Sequence, residues 1–141
     1  MTYKGWEHFD PVAHATAQQT KPSKYRSVKT TVDGITFDSK HEAARYQELR
    51  LMEKAGLIRD LHVQQRFALD VGDTHIANYL ADFTYDEWVL ADGLWHPVVE
   101  DTKSPITRTP TYRLKAKLMK ALHGITIRET IRPVRRKRAK Q

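Results

Sequence analysis

Between residues 58 and 103 the chain carries three successive runs whose side chains alternate with a period of two, and a helical pattern stands before and after them. In IRDLHVQQRFAL (58–69), Leu61, Val63, Phe67 and Leu69 share one face with the polar Gln65. In HIANYLADFTY (75–85), Ile76, Leu80 and Asp82 fall on one side. In LWHPVVEDTK (94–103), Trp95, Val99, Asp101 and Lys103 share a face, and Glu100 points the other way. Pro97 suits only the start of that strand or an exposed edge. Three adjacent strands of this kind need helices to cover their apolar faces.

The flanking patterns supply them. Ser39 is a good N-cap, Glu42 stands three residues on, and Gly56 suits the residue past the end, so a helix is predicted over 40–55. Tyr46, Leu49 and Met52 form its apolar stripe, and Glu42 lies in line with that stripe. After the loop SPITRT, Thr109 caps a second helix, Pro110 fits its first position and Gly124 its end. Leu114, Leu118 and Leu122 are expected to face the core, while Arg113, Lys117 and Lys120 form a separate basic stripe. A fourth strand is predicted over ITIRETI (125–131), and SVKTTVDGITF (27–37) reads as a hairpin around Asp33-Gly34. The expected class is therefore α/β, a mixed four-stranded core sheet flanked by helices with an N-terminal β-hairpin. The domain organisation is an arm over 1–24, one core over 25–131 and a basic tail over 132–141.

Charge is distributed unevenly. Residues 1–101 hold 11 Lys/Arg against 16 Asp/Glu (−5), and residues 102–141 hold 13 against one (+12), together the net +7. A basic half reads as a polyanion-binding surface, and an acidic front folded onto it is suited to cations. The chain has no cysteine, which excludes disulfides and thiolate metal sites. It has no run of about 18 apolar residues, so no membrane span is expected. MTYKGWEHFD lacks the features of a signal peptide, and a cytoplasmic location is expected. His41-Glu42 begins like a zinc-protease helix, but Arg45 stands where the second histidine is required. There is no phosphate-binding glycine loop and no nucleophile elbow.

Phosphodiester hydrolysis needs a nucleophilic water, a clamp on the phosphate and help for the leaving oxygen, all of which a carboxylate-bound divalent ion provides. VVEDTKS (98–104) places Asp101 and Lys103 side by side, with the Thr102 carbonyl between them as a further oxygen donor. Asp82 on the preceding strand offers a second carboxylate, and Glu42 at the start of the first helix a third. A nearby lysine can orient the water or offset phosphate charge. An acid-x-Lys triplet is weak alone: about one or two are expected by chance, and Asp38-Ser39-Lys40 is the other. Context favours the second triplet. Each residue also has a plain structural reading. Glu42 can serve only as a capping acid, Asp82 can be neutralised by Lys103, and Gln65 can hydrogen-bond within the core or support the site.

Helix with Glu42, strand with Ala81-Asp82, strand ending Asp101-Thr102-Lys103, basic helix and strand together resemble the αβββαβ, restriction-endonuclease-like core of the PD-(D/E)XK nuclease superfamily. More narrowly, residues 24–69, YLADFTY, VVEDTKS and TYRLKAKLMKALHGI resemble a phage-borne family of small nuclease-like proteins related to Holliday-junction resolvases. Ala81 departs from the signature, which has proline there. The resemblance implies a metal-dependent DNA endonuclease of phage recombination or DNA processing, working in the bacterial host cytoplasm. Asp82, Asp101 and Lys103 would occupy the signature positions, and Glu42 would be the helix acid. One or two Mg²⁺ or Mn²⁺ ions would bind Asp82, Asp101, Glu42 and the Thr102 carbonyl. DNA would be held by Arg113, Lys117 and Lys120 and by the tail residues Arg132, Arg135, Arg136, Lys137 and Arg138. Two-fold branched substrates would call for a homodimer. The alternative is a DNA-binding accessory of recombination or packaging that keeps the fold and does not cut.

Overall fold

The computed structural model describes residues 27–131. The N-terminal arm and the tail residues Arg132, Arg135, Arg136, Lys137 and Arg138 lie outside the described residues. The chain opens on a hairpin, β1 (Thr30–Val32) and β2 (Ile35–Phe37). Asp33 and Gly34 both take positive φ, 51° and 76°, the backbone that a two-residue type I′ turn demands. Helix α1 (Lys40–Lys54) follows, with the Ser39 side chain accepting from the Glu42 N–H. Three long strands come next: β3 (Ile58–Val71), β4 (Thr74–Val89) and β5 (Leu94–Lys103). Helix α2 (Pro110–His123) ends on Gly124 at φ 68°, and β6 (Arg128–Ile131) closes the domain.

The sheet order is β3-β4-β5-β6. The first three strands run antiparallel, and β6 lies parallel to β5. Parallel neighbours require a crossover, which α2 provides. The fold is α/β, a mixed sheet flanked by helices.

Two apolar clusters hold the layers together. Under α1, Phe37, Ala43, Tyr46 and Leu49 meet Ile58, Phe83, Tyr85 and Val98. Under α2, Tyr112 and Met119 meet Leu69, Tyr79, Ala81 and Val99. Val98 and Val99 point to opposite sides of β5 and fall in different clusters, so this strand is covered on both faces. Each fully buried large side chain stabilises the fold by roughly 1.5–3 kcal/mol. Among the described residues no helix is long and apolar enough to cross a membrane.

Three expectations about faces are corrected. Ile76 and Leu80 are 54% and 53% exposed, and it is the odd-numbered Tyr79, Ala81, Phe83 and Tyr85 of β4 that are buried. Leu114 and Leu122 are exposed and Leu118 is half-buried; α2 turns Tyr112 and Met119 inward, because a tyrosine and a methionine fill the groove above Leu69 and Ala81. Gln65 is exposed rather than part of an apolar face, and accepts a 2.8 Å hydrogen bond from the Thr84 hydroxyl. The neighbouring Gln64, at φ 53°, breaks the regular alternation of β3 there.

Candidate active site

β4 pairs with β5 only from Val89 back to Phe83, which lies opposite Glu100. β5 pairs with β6 from Glu100 to Lys103. Residues 101–103 therefore keep a neighbour on the β6 side after their ladder with β4 has ended, and the sheet forks. Two carboxylates close the fork. The Asp82 N–H donates to Asp101 Oδ1 at 3.1 Å, and the Thr102 N–H donates to Asp82 Oδ2 at 2.7 Å. The Thr102 hydroxyl joins it on Asp82 Oδ2 at 2.8 Å. Each strand's freed N–H is thus satisfied by the other strand's side chain, as buried backbone donors require. The N–H and C=O of one strand residue point to the same side, so the Thr102 carbonyl is directed into the fork as well.

Lys103 completes the group. Its Nζ lies 3.3 Å from Asp101 Oδ2 and 4.5 Å from the centre of the Tyr112 ring. Tyr79 donates its hydroxyl to Asp101 Oδ2 from β4. Tyr112 in turn donates to Glu129 Oε1 at 3.0 Å, and Arg108 pairs with the same glutamate at 3.0 Å. Asp101 is 1% exposed. Burial first, and the charge of Asp82 second, push its carboxyl up to about 6, against the pull of Lys103 and its hydrogen-bond donors. Burial beside Asp101 likewise raises the Tyr79 phenol far above the ordinary range.

Glu42 stands at the edge of this cluster. It is held as a capping acid: its Oε1 accepts from the Ser39 hydroxyl at 3.0 Å and its Oε2 from the Asp38 N–H at 3.3 Å. Its carboxyl is nevertheless raised, by burial and then by the charge of Asp82. The capping and cluster readings of this residue coexist.

Glu100 looks the opposite way. It is fully buried and receives Arg45 Nε at 2.6 Å and Nη2 at 3.1 Å, the Tyr85 hydroxyl at 2.6 Å and the Thr130 hydroxyl at 2.8 Å. Burial alone would raise its carboxyl; the donors, Arg45 foremost, outweigh this and hold it below the ordinary glutamate range. Through Glu100 the helix carrying Glu42 is tied to the strand carrying Asp101.

The structure therefore brings Asp82, Asp101, Thr102 and Lys103 together and sets Glu42 beside them. Gln65 is not in the group. Lys103 pairs with Asp101, so the salt bridge to Asp82 weighed from the sequence is not formed. Arg113, Lys117 and Lys120 are exposed on α2 and form no ion pair among the described residues. By contrast Arg45, Arg50, Arg59, Arg108 and Arg128 are all engaged with acids. Tyr79, Tyr112, Arg45 and Thr130 were not anticipated. One signal pointed their way: two acids in succession, Glu100-Asp101, in a strand buried on both faces each demand partners.

A family profile described as protein of unknown function (DUF1064) matches residues 22–134. The chain belongs to this family. No curated protein and no solved structure matches it.

Among the described residues of this DUF1064 protein, no three or more His, Cys, Asp or Glu are arranged to hold a metal ion by themselves. The donor set still fits magnesium or manganese. Both take hard oxygen ligands, and magnesium is commonly bound by one or two carboxylates plus waters and substrate oxygens. Two carboxylates meet in the fork and the Thr102 carbonyl is directed there; burial first and the charge of Asp82 second disfavour the Asp101 anion, a setting in which added positive charge is favourable.

Proposed function

We propose that this protein is a metal-dependent DNA endonuclease of the PD-(D/E)XK type, with its active site at the fork between β4 and β5. The reading is carried by one observation: two carboxylates from diverging strands meet there, and a lysine two residues after the second lies 3.3 Å from it. Asp82, Asp101 and the Thr102 carbonyl would hold Mg²⁺ or Mn²⁺, with Glu42 assisting from the first turn of α1. Such an ion, when bound, supplies a polarised phosphoryl oxygen and a more acidic water. Lys103 orients the attacking water and offsets charge building on the phosphate. The Tyr112 ring and the Asp101 carboxylate hold the ammonium in place for that role. Arg113, Lys117 and Lys120 run along about 10 Å of α2, given its 1.5 Å rise per residue, and bind backbone phosphates without reading sequence. Their lack of acidic partners favours this assignment.

The biological setting that goes with the reading is phage recombination or DNA processing in a bacterial cytoplasm, with a branched or otherwise structured DNA as substrate and a homodimer as the working unit. A second reading has its own support. Both Asp101 oxygens already accept hydrogen bonds, and the described residues hold no self-sufficient metal cluster. On that reading the protein binds DNA as an accessory and the fork is structural.

Cleavage of linear duplex, single strand, flap and four-way junction, each with EDTA, Mg²⁺ and Mn²⁺, separates the two. The nuclease reading expects metal-dependent cutting that Asp82→Ala and Lys103→Ala each abolish while DNA binding persists. Binding to all four DNAs without cutting any of them would favour the accessory.

A further inference from the structure

Asp101 and Lys103 touch each other, and each is also held by a tyrosine from a different element. Tyr79, on the stretch of β4 that has already left β5, donates its hydroxyl to Asp101 Oδ2. Tyr112, in the first turn of α2, presents its ring 4.5 Å from Lys103 Nζ. Both rings belong to the apolar cluster under α2 and are almost sealed from solvent. The Tyr112 hydroxyl is fixed by Glu129 on β6, at 3.0 Å, so the ring cannot swing away from the lysine without breaking that bond. The acid and the lysine of the fork are therefore clamped from two elements, β4 and α2.

We infer that Tyr79 and Tyr112 are positioning residues with separate tasks, Tyr79 setting the Asp101 carboxylate for a metal ion and Tyr112 setting the Lys103 ammonium for the phosphate. This rests on the nuclease reading of the fork. The tasks differ in chemistry. A phenol donor orients the carboxylate and supports its anionic form, which is the form that binds a cation. An aromatic face attracts an ammonium through its quadrupole and needs no hydroxyl to do so. Lys103 is not a metal ligand, so losing its platform should leave metal affinity alone.

The test is Mn²⁺ binding by calorimetry on the full chain, together with kcat and KM on the best-cut DNA, for wild type, Asp101→Asn, Tyr79→Phe, Tyr112→Phe and Tyr112→Leu. Thermal unfolding selects the variants that remain folded; the two phenylalanine substitutions keep the rings that pack and serve as the minimal pair if Tyr112→Leu fails to fold. Tyr79→Phe is expected to weaken Mn²⁺ binding about tenfold, the scale of one hydrogen bond to a charged group, and to lower kcat with KM for DNA unchanged. Tyr112→Phe keeps the ring face but loses the Glu129 bond that fixes it, so it should lower kcat by less than Tyr112→Leu, which should lower kcat about tenfold in line with the loss of a cation–π contact, both at unchanged Mn²⁺ affinity. Mn²⁺ affinity equal to wild type in Tyr79→Phe, or a kcat in Tyr112→Phe as low as in the leucine variant, would overturn the assignment while leaving the nuclease reading intact. A wild type whose Mn²⁺ binding is absent, or is unchanged by Asp101→Asn, would overturn both.

Discussion

Glu100 faces α1 and β6 and meets a guanidinium and two hydroxyls; Asp101, one residue on, faces the fork and meets a second carboxylate, a phenol and an ammonium. Both are sealed from solvent, at 0% and 1% exposure. Burial raises both carboxyls, and only at Glu100 do the donors win. The difference teaches that burial alone does not mark a functional acid. What sets the two acids apart is the net charge that burial leaves unbalanced. Glu100 is balanced by Arg45 and works as a fastening. Asp101 pairs with Lys103 but lies beside Asp82, and burial together with the charge of Asp82 outweighs its donors, so its negative charge is left incompletely balanced.

The largest expected effect breaks the comparison at the chemistry. Asp101→Asn should lower metal-dependent cleavage by at least about a thousandfold, some 4 kcal/mol of transition-state stabilisation, while circular dichroism shows an intact fold. Glu100→Gln should do the reverse kind of damage. It leaves the half-buried Arg45 guanidinium with only the exposed Glu48 as an anion, at 2.8 Å, and breaking the buried pair costs about 3 kcal/mol, read as a lowered urea midpoint.

A smaller effect comes from pH. The folded Asp101 carboxyl holds its proton up to about 6, whereas in the unfolded chain it releases it near 3.9. Between those values the native state binds more protons, so metal-free stability contributed by this group falls as pH rises from about 4 to 6 and stays low above it. The scale is on the order of 2–3 kcal/mol. Asp101→Asn should therefore gain more stability over wild type at pH 8 than at pH 4.5, measured by denaturant unfolding in EDTA. Glu100, held below its ordinary range, acts with the opposite sign. Its contribution is present at neutral pH and is lost in acid as pH falls through its native pKa. The smallest effects lie away from both acids. Lys117→Ala should reduce the salt dependence of DNA binding by about one unit of slope, and Leu114→Gln should shift stability by no more than about 0.5 kcal/mol because Leu114 is exposed.

Much of this architecture was legible in the sequence. Turn and cap chemistry is local, so Asp33-Gly34, Ser39, Thr109, Pro110 and Gly124 located the hairpin and both helices to within a residue or two. Period-two spacing put Asp101 beside Lys103 and turned Glu100 away. The errors came where a face must be chosen. Both sets of alternate residues of β4 are partly apolar, and only the packing of α1 and α2 decides that Tyr79, Ala81, Phe83 and Tyr85 go inside and Ile76 and Leu80 outside. On α2 three leucines outscored Tyr112 and Met119 as core candidates, although the tyrosine is buried because it also serves Glu129 and Lys103. The fork itself has no local code. It arises where β5 exchanges β4 for β6, a consequence of strand order that no stretch of ten residues contains.

The unbalanced charge at Asp101 is tested most directly by thermal unfolding of EDTA-stripped wild type and Asp101→Asn at pH 7.5, with and without Mn²⁺. A ligand at a hundred times its Kd stabilises by about 2.7 kcal/mol, several degrees for a domain of this size. Wild type should start lower than the variant and rise by that amount on adding Mn²⁺, while the variant starts higher and barely moves. Equal shifts in the two proteins, or none in either, would contradict the assignment of Asp101 as a cation-seeking carboxylate.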